Sequence, residues 1–150
     1  MKILITIVLM FTLIIVYIVM MGNKKNIKLV ADYTKEYRMV FIVNSDLKMG
    51  KGKVISQCMH GYDGILESLS LFREKDNLLR CWRNSGSAKI ILKATEEEMK
   101  SLIVNNNYIH HYCVYDAGRT QVPSHSFTVL VFGPEIEDKL IELTKGLKLY

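Results

Sequence analysis

The chain has 150 residues, 49% of them hydrophobic, enough for one domain with a real core and too few for two large ones. Its net charge of +5 suits an anionic partner, nucleic acid or an anionic membrane surface, without choosing between them. Cys58, Cys81 and Cys113 are odd in number, widely spaced and outside any CxxC, which argues against a disulfide framework and a zinc site and for a reducing compartment.

The run "ILITIVLMFTLIIVYIVMM", Ile3 to Met21, carries no charge. Nineteen residues at about 1.5 Å each nearly match a hydrocarbon core of about 30 Å. No small-residue cleavage site follows it, so a retained anchor over residues 1–22 is expected, in preference to a cleaved signal peptide. Lys24, Lys25 and Lys28 after the span favour a domain facing the cytosol. Residues 23–37 read as a polar linker, and 38–150 as the domain.

"RMVFIVN", residues 38–44, is apolar on both faces, as a central strand would be. From Val54 to Phe72 the apolar period becomes helical. "EKDNLLRCWRNSG" predicts a second helix, and "AKIILKA" a second strand. "TEEEMKSLIVNNN" opens on Thr95 with Glu98 three later, a capping box that predicts a third helix. "YIHHYCVYD" and "SFTVLVFG" predict two further strands, and Pro134 is expected in the first turn of a last helix. Helices between most strands imply right-handed crossovers and mainly parallel pairing. The nine-residue connection "AGRTQVPSH" is short for a crossover and makes the last strand antiparallel. The expected fold is α/β: three layers, α/β/α, around a mixed four-stranded sheet, mostly parallel with one antiparallel strand.

Ligands in such sheets collect beyond the carboxyl ends of parallel strands. Two segments arrive there, "NSDLKMGKGKVISQ" after the first strand and "YDAGRTQVPS" after the third. The first joins lysines and glycines to a helix N-terminus, which suits phosphate. It is not a Walker loop, because Gly50-Lys51 is followed by Gly52 and no glycine stands five before Gly50; GxGxxG is absent too. Lys53 and Gln57, four apart, share a helical face. The plain alternative is a solvated first turn. Asp116 either caps its own turn, acts as a base or holds Lys53. Arg119 is a phosphate clamp or a partner for Asp116, and Thr120 offers a hydroxyl. His60 follows Gln57 by three and is a candidate to line the cleft. His110 and His111 are adjacent on a strand and point opposite ways, so they do not form a metal pair.

Residues 38–150 resemble the peptidyl-tRNA hydrolases of the archaeal and eukaryotic type, the second family of that activity. "DLKMGKGKVISQCMH" resembles the family's first signature, "DAGRTQ" and "TVLVFGP" its second block, and "LTKGLKLY" its usual ending. The resemblance implies a mixed four-stranded sheet between helices, a homodimer, and cleavage of the ester joining peptide to the terminal ribose of tRNA, with no metal or organic cofactor. It places the catalytic residues at Lys53, Gln57, Asp116 and Thr120. Two departures stand out. "HGYDG" replaces small residues after the helical histidine, and "SHS" at 124–126 replaces a Pro-Gly pair before the serine.

Ester hydrolysis needs an oriented water, a stabilised oxyanion and a protonated leaving oxygen. Asp116 is expected to orient or deprotonate water, with Lys53 stabilising negative charge or fixing Asp116. Gln57 and Thr120 are expected to hydrogen-bond to substrate or water. Lys48, Lys51, Arg119 and His60 are expected to bind substrate, the first three through tRNA phosphates. The expected partners are peptidyl-tRNA, a membrane through the N-terminal helix, and a second copy. Members with an N-terminal hydrophobic segment bring in the mitochondrial outer membrane; without the anchor the domain would be cytoplasmic. The alternative function is a membrane-anchored, non-catalytic RNA-binding or signalling adaptor. A nucleotide-binding α/β protein is disfavoured by the failed phosphate-loop motifs.

Overall fold

The computed structural model describes residues 29–150. The expected anchor over residues 1–22 lies outside them. Among the described residues, no helix is long and apolar enough to cross a membrane.

The elements are β1 (Tyr37–Asn44), α1 (Lys51–Leu69), α2 (Lys75–Asn84), β2 (Lys89–Ala94), α3 (Glu96–Asn105), β3 (His111–Tyr115), β4 (Phe127–Ile136), α4 (Glu137–Leu143) and β5 (Lys148–Leu149). The order follows the hydropathy pattern, with β5 added. Just before β1, Leu29 and Ala31 pack against the core, and the Tyr37 hydroxyl accepts from the Asp32 N–H at 2.9 Å.

The sheet runs β3-β4-β1-β2-β5. This corrects the expected four strands and mostly parallel pairing: only β1 and β2 pair in parallel, while β4 is antiparallel to β1 and β3, and β5 to β2. β1, β2 and β3 do point the same way. β4, the one long strand of opposite direction, inserts between β3 and β1, so most contacts in the sheet become antiparallel. β5 is two residues long, too short to show a strand period. Pro134 is a second correction. It lies within β4 and not in a helix, because Glu135 and Ile136 continue the ladder against Arg38 and Tyr37 of β1.

β1 is buried along almost its whole length because both its faces are covered. Met39, Phe41 and Val43 join Val54, Ile65 and Leu69 of α1 and Leu78 and Trp82 of α2 in one core. Val40 and Ile42, pointing the other way, join Met99 of α3 and Leu140 of α4 in a second. Gly61 of α1 lets the helix press onto the sheet. A Cβ there would stand 2.6 Å from a methyl of Val131. The Thr95–Glu98 capping box forms as its spacing requires.

This arrangement puts the end of β3, the end of β1 and the start of α1 at one edge. β1 leads into the loop 45–50, where buried Met49 anchors the chain beside exposed Lys48. β3 leads into the loop 117–126.

Candidate active site

The first turn of α1 carries Lys51 and Lys53 and no acid. That is the reverse of what a helix dipole favours, since cations at the N-terminus add to its positive end. The site supplies the missing carboxylate from another element. Asp116, buried directly after β3, places Oδ1 against the Lys53 ammonium in an ion pair. Oδ1 also accepts from Gln57 Nε2 at 3.0 Å, and Oδ2 accepts from the Gly118 N–H at 2.8 Å. Asp116 therefore both caps its turn and holds Lys53, two roles that the sequence left as alternatives.

The turn depends on Gly118. Its φ is +78°, and a Cβ would stand 2.4 Å from the Ser124 backbone nitrogen. Backbone bonds from Asp116 N–H to Ser126 O and from His125 N–H to Asp116 O close the base of this loop. The Gly50 N–H donates to Gln121 Oε1 at 2.9 Å and ties the two loops together.

Gln57 is 2% exposed, so the alternative of a solvated glutamine fails. Its amide is held at both ends: Nε2 donates to Asp116, and Oε1 accepts from the Thr128 hydroxyl at 2.6 Å. Thr128 was not singled out in the sequence. Its signal was there, a polar residue inside the apolar run of β4, which must find a partner when buried. Its direction could not be read, because β4 is irregular at this point. Val114 pairs with Val129 but Tyr115 pairs with Phe127. Thr128 is the extra residue of this bulge and turns to α1, next to Val129, while Phe127 joins the opposite core.

The Asp116 carboxyl is held below the usual carboxylate range, first by the hydrogen bond from Lys53, then by the Gly118 N–H. It is ionised at neutral pH. A carboxylate has about four acceptor positions. Lys53, Gln57 and Gly118 occupy three, leaving one on Oδ2 for a water or a substrate group.

The other expected residues are placed as follows. Thr120 is exposed on the loop after Gly118, with no hydrogen bond to the Asp116 centre among the described residues. Arg119 is exposed there too, and the cation beside Asp116 is Lys53, not Arg119. Lys48 and Lys51 are exposed on the basic loop and the first turn of α1, and His60 is exposed two turns further on. His110 and His111 do diverge. His110 is buried, with Nε2 3.0 Å from Ser68 Oγ, whereas His111 packs against Phe132. Among the described residues, no group of three His, Cys, Asp or Glu could hold a metal ion.

The model of the family described as peptidyl-tRNA hydrolase PTH2 matches residues 37–150, all the structured elements. The chain belongs to the PTH2 family. Its PTH2 relatives include a probable peptidyl-tRNA hydrolase 2 of Dictyostelium discoideum, 38% identical over 79% of this chain and 60% of the relative. The mitochondrial peptidyl-tRNA hydrolase 2 of Bos taurus is 38% identical over 77% of this chain and 65% of its own length. The peptidyl-tRNA hydrolase of Methanothermobacter thermautotrophicus is 37% identical over 75% of this chain and 98% of its own. The chain thus spans 60–65% of the first two relatives and nearly all of the Methanothermobacter one.

Proposed function

We propose that the chain hydrolyses the ester between peptide and tRNA in peptidyl-tRNA, releasing free tRNA and peptide. The observation that carries this reading is the buried Lys53–Asp116–Gln57 constellation at the edge where the two signature loops meet. A non-catalytic adaptor has no need for a largely buried ion pair fixed from behind by a buried glutamine.

In the proposed mechanism, the free acceptor position of Asp116 orients the attacking water. As the water attacks, Asp116 takes its proton and returns it to the departing ribose oxygen; the lowered pKa makes Asp116 a weak base, so the transfer accompanies bond formation and does not precede it. Lys53 stabilises the oxyanion that develops on the ester carbonyl. Gln57 keeps Asp116 in place, and the Thr120 hydroxyl contacts the substrate once the exposed loop closes over it. Lys48, Lys51 and Arg119 take tRNA phosphates, with His60 at the far rim of the cleft.

The chain is proposed to work as a homodimer, with an N-terminal anchor over residues 1–22, a linker over 23–37 and a three-layer α/β/α domain over 38–150. The domain faces the cytosol. The names of the bovine and human relatives, both mitochondrial, support a mitochondrial place, and a cytosol-facing domain puts the proposed anchor in the outer membrane.

The test is hydrolysis of peptidyl-tRNA by the full chain, read against free aminoacyl-tRNA. Release of tRNA from the first substrate only is expected. No cleavage of peptidyl-tRNA would overturn the proposal.

A further inference from the structure

An apolar groove runs along α1 on the side turned away from Asp116. Its walls are Ile55, Cys58, Met59 and Tyr62, and its floor is Phe41 and Ile91 of β1 and β2. Tyr150 closes one edge, its N–H donating to Ile91 O at 3.1 Å. The cavity volume is about 710 Å³, within the range of small-molecule sites, roughly 300–1,000 Å³. Ile55 and Met59 are 61% and 62% exposed, so two large side chains of this helix are left without cover.

The charged side chains on the groove are of one sign. Two lysines line it, and no acidic side chain does. Lys89 is already engaged: its Nζ lies 4.7 Å from the Trp82 ring and 5.2 Å from the Tyr62 ring, and donates to Ser87 O. Lys51, in the first turn of α1, has no ion pair among the described residues. The groove therefore has one free cation at one end and an aromatic end wall at the other. From Lys51 to Tyr62 the helix rises about 16 Å.

We propose that this groove binds a single-chain fatty carboxylate, with the carboxylate at Lys51 and the acyl tail running along α1 toward Tyr62. The walls favour hydrocarbon, because burying a sugar or a base against them would leave polar groups without partners. The free ammonium favours an anionic head over a neutral one. The groove and the Asp116 centre occupy different sides of α1; Lys51 is shared with the phosphate role proposed above, and the labelling is read without tRNA, so its outcome does not depend on that reading.

The test uses the full chain in phosphatidylcholine vesicles at mildly alkaline pH, with a photoactivatable long-chain carboxylate and the matching alcohol as probes. The carboxylate is expected to label the segments holding Met59 and Tyr150. Lys51→Ala should lower that labelling about two- to fivefold, the range of a solvent-accessible ion pair, and Met59→Asp, at an exposed position, should abolish it. Equal labelling by the alcohol would overturn the proposal, as would labelling scattered over the domain or confined to residues 1–28. Cross-linking of two copies through Met59 without probe would also overturn it, giving the groove to a second copy.

Discussion

The side-chain amide of Gln57 stands between Asp116 and Thr128, donating to one and accepting from the other. The Asp116 carboxylate, which only accepts, settles which way the amide points. With Nε2 facing the carboxylate, Oε1 faces the Thr128 hydroxyl and accepts from it. A residue at the strand bulge just beyond the loop 117–126, and 71 residues from Gln57, thus supports the geometry of the acid.

Thr128→Val keeps the shape and removes the hydroxyl. It leaves Gln57 Oε1 buried without a donor, a loss of about 1–3 kcal/mol in unfolding free energy. It should lower kcat for peptidyl-tRNA with little change in KM, because Asp116 loses its support while the exposed residues proposed to take tRNA phosphates stay. Thr128→Ser should restore both. Denaturant unfolding with steady-state kinetics on the three proteins checks this. A drop in stability with kcat unchanged would make Thr128 a core residue alone.

Asp116→Asn should lower single-turnover cleavage by about 10²- to 10⁴-fold and leave tRNA affinity near wild type. Lys53→Met should slow the same step. The double variant should fall short of the product of the two losses, because the pair acts as one unit. In Lys53→Met the Asp116 carboxyl loses the strongest influence lowering its pKa. It should titrate at higher pH than in wild type, read by carbon NMR of the labelled carboxyl. With its partner present, Asp116 has a folded-state pKa below the unfolded one. Its contribution to stability is therefore present above the unfolded value, about 3.9, and is lost as pH falls through the folded value.

The parts of this site that were legible in sequence are those with local signals. Lys53 and Gln57 share a helical face by spacing alone, and Asp116 marks a strand end by the glycine two residues on. The Thr95 capping box and the opposed directions of His110 and His111 follow from period and chemistry in the same way. What could not be read depends on partners distant in the chain. The position of β4 between β3 and β1 is set by which sheet edge it buries, and an apolar strand reads the same at either edge. Thr128 points at Gln57 only because the bulge shifts the alternation by one, and no period in "SFTVLVFG" shows a bulge. The helix start at Pro134 was misread because a proline after glycine marks a turn, while pairing with β1 carries the strand through it.

Lys48 and Lys51 are exposed on the loop and first helical turn that lead to Lys53. If they meet phosphates, replacing both with alanine should lower the slope of log affinity against log salt by roughly 0.7 to 0.9 per lost contact. The effect should fall on tRNA binding and not on single-turnover cleavage at saturating enzyme. Filter binding of tRNA across a salt series checks it, and an unchanged slope would remove both lysines from the RNA interface.

His110 should make the fold sensitive to mild acid. Burial, the main cause, pushes its pKa down from 6.5 to about 4, and the neighbouring His111 adds to the effect. The ring is packed edge-on to Phe72 at 5.2 Å between centroids, with Nε2 against Ser68 Oγ. The Ser68 hydroxyl also donates to Ile65 O at 2.9 Å, and that carbonyl, which favours the charged ring, offsets only part of the effect of burial. The unfolded chain takes up that proton near pH 6.5 and the folded chain only near 4. Between these values the unfolded state binds more protons, so stability falls as pH falls. The loss across the window is roughly 2–3 kcal/mol at about 1.4 kcal/mol per pH unit. His110→Leu keeps an apolar side chain beside Phe72 and cannot take up a proton. It should unfold with a flatter pH dependence from 6.5 to 4 than wild type, whatever its stability at neutral pH. Urea unfolding of the two proteins at half-unit pH steps measures the slopes directly, and parallel slopes would show that the acid sensitivity resides elsewhere.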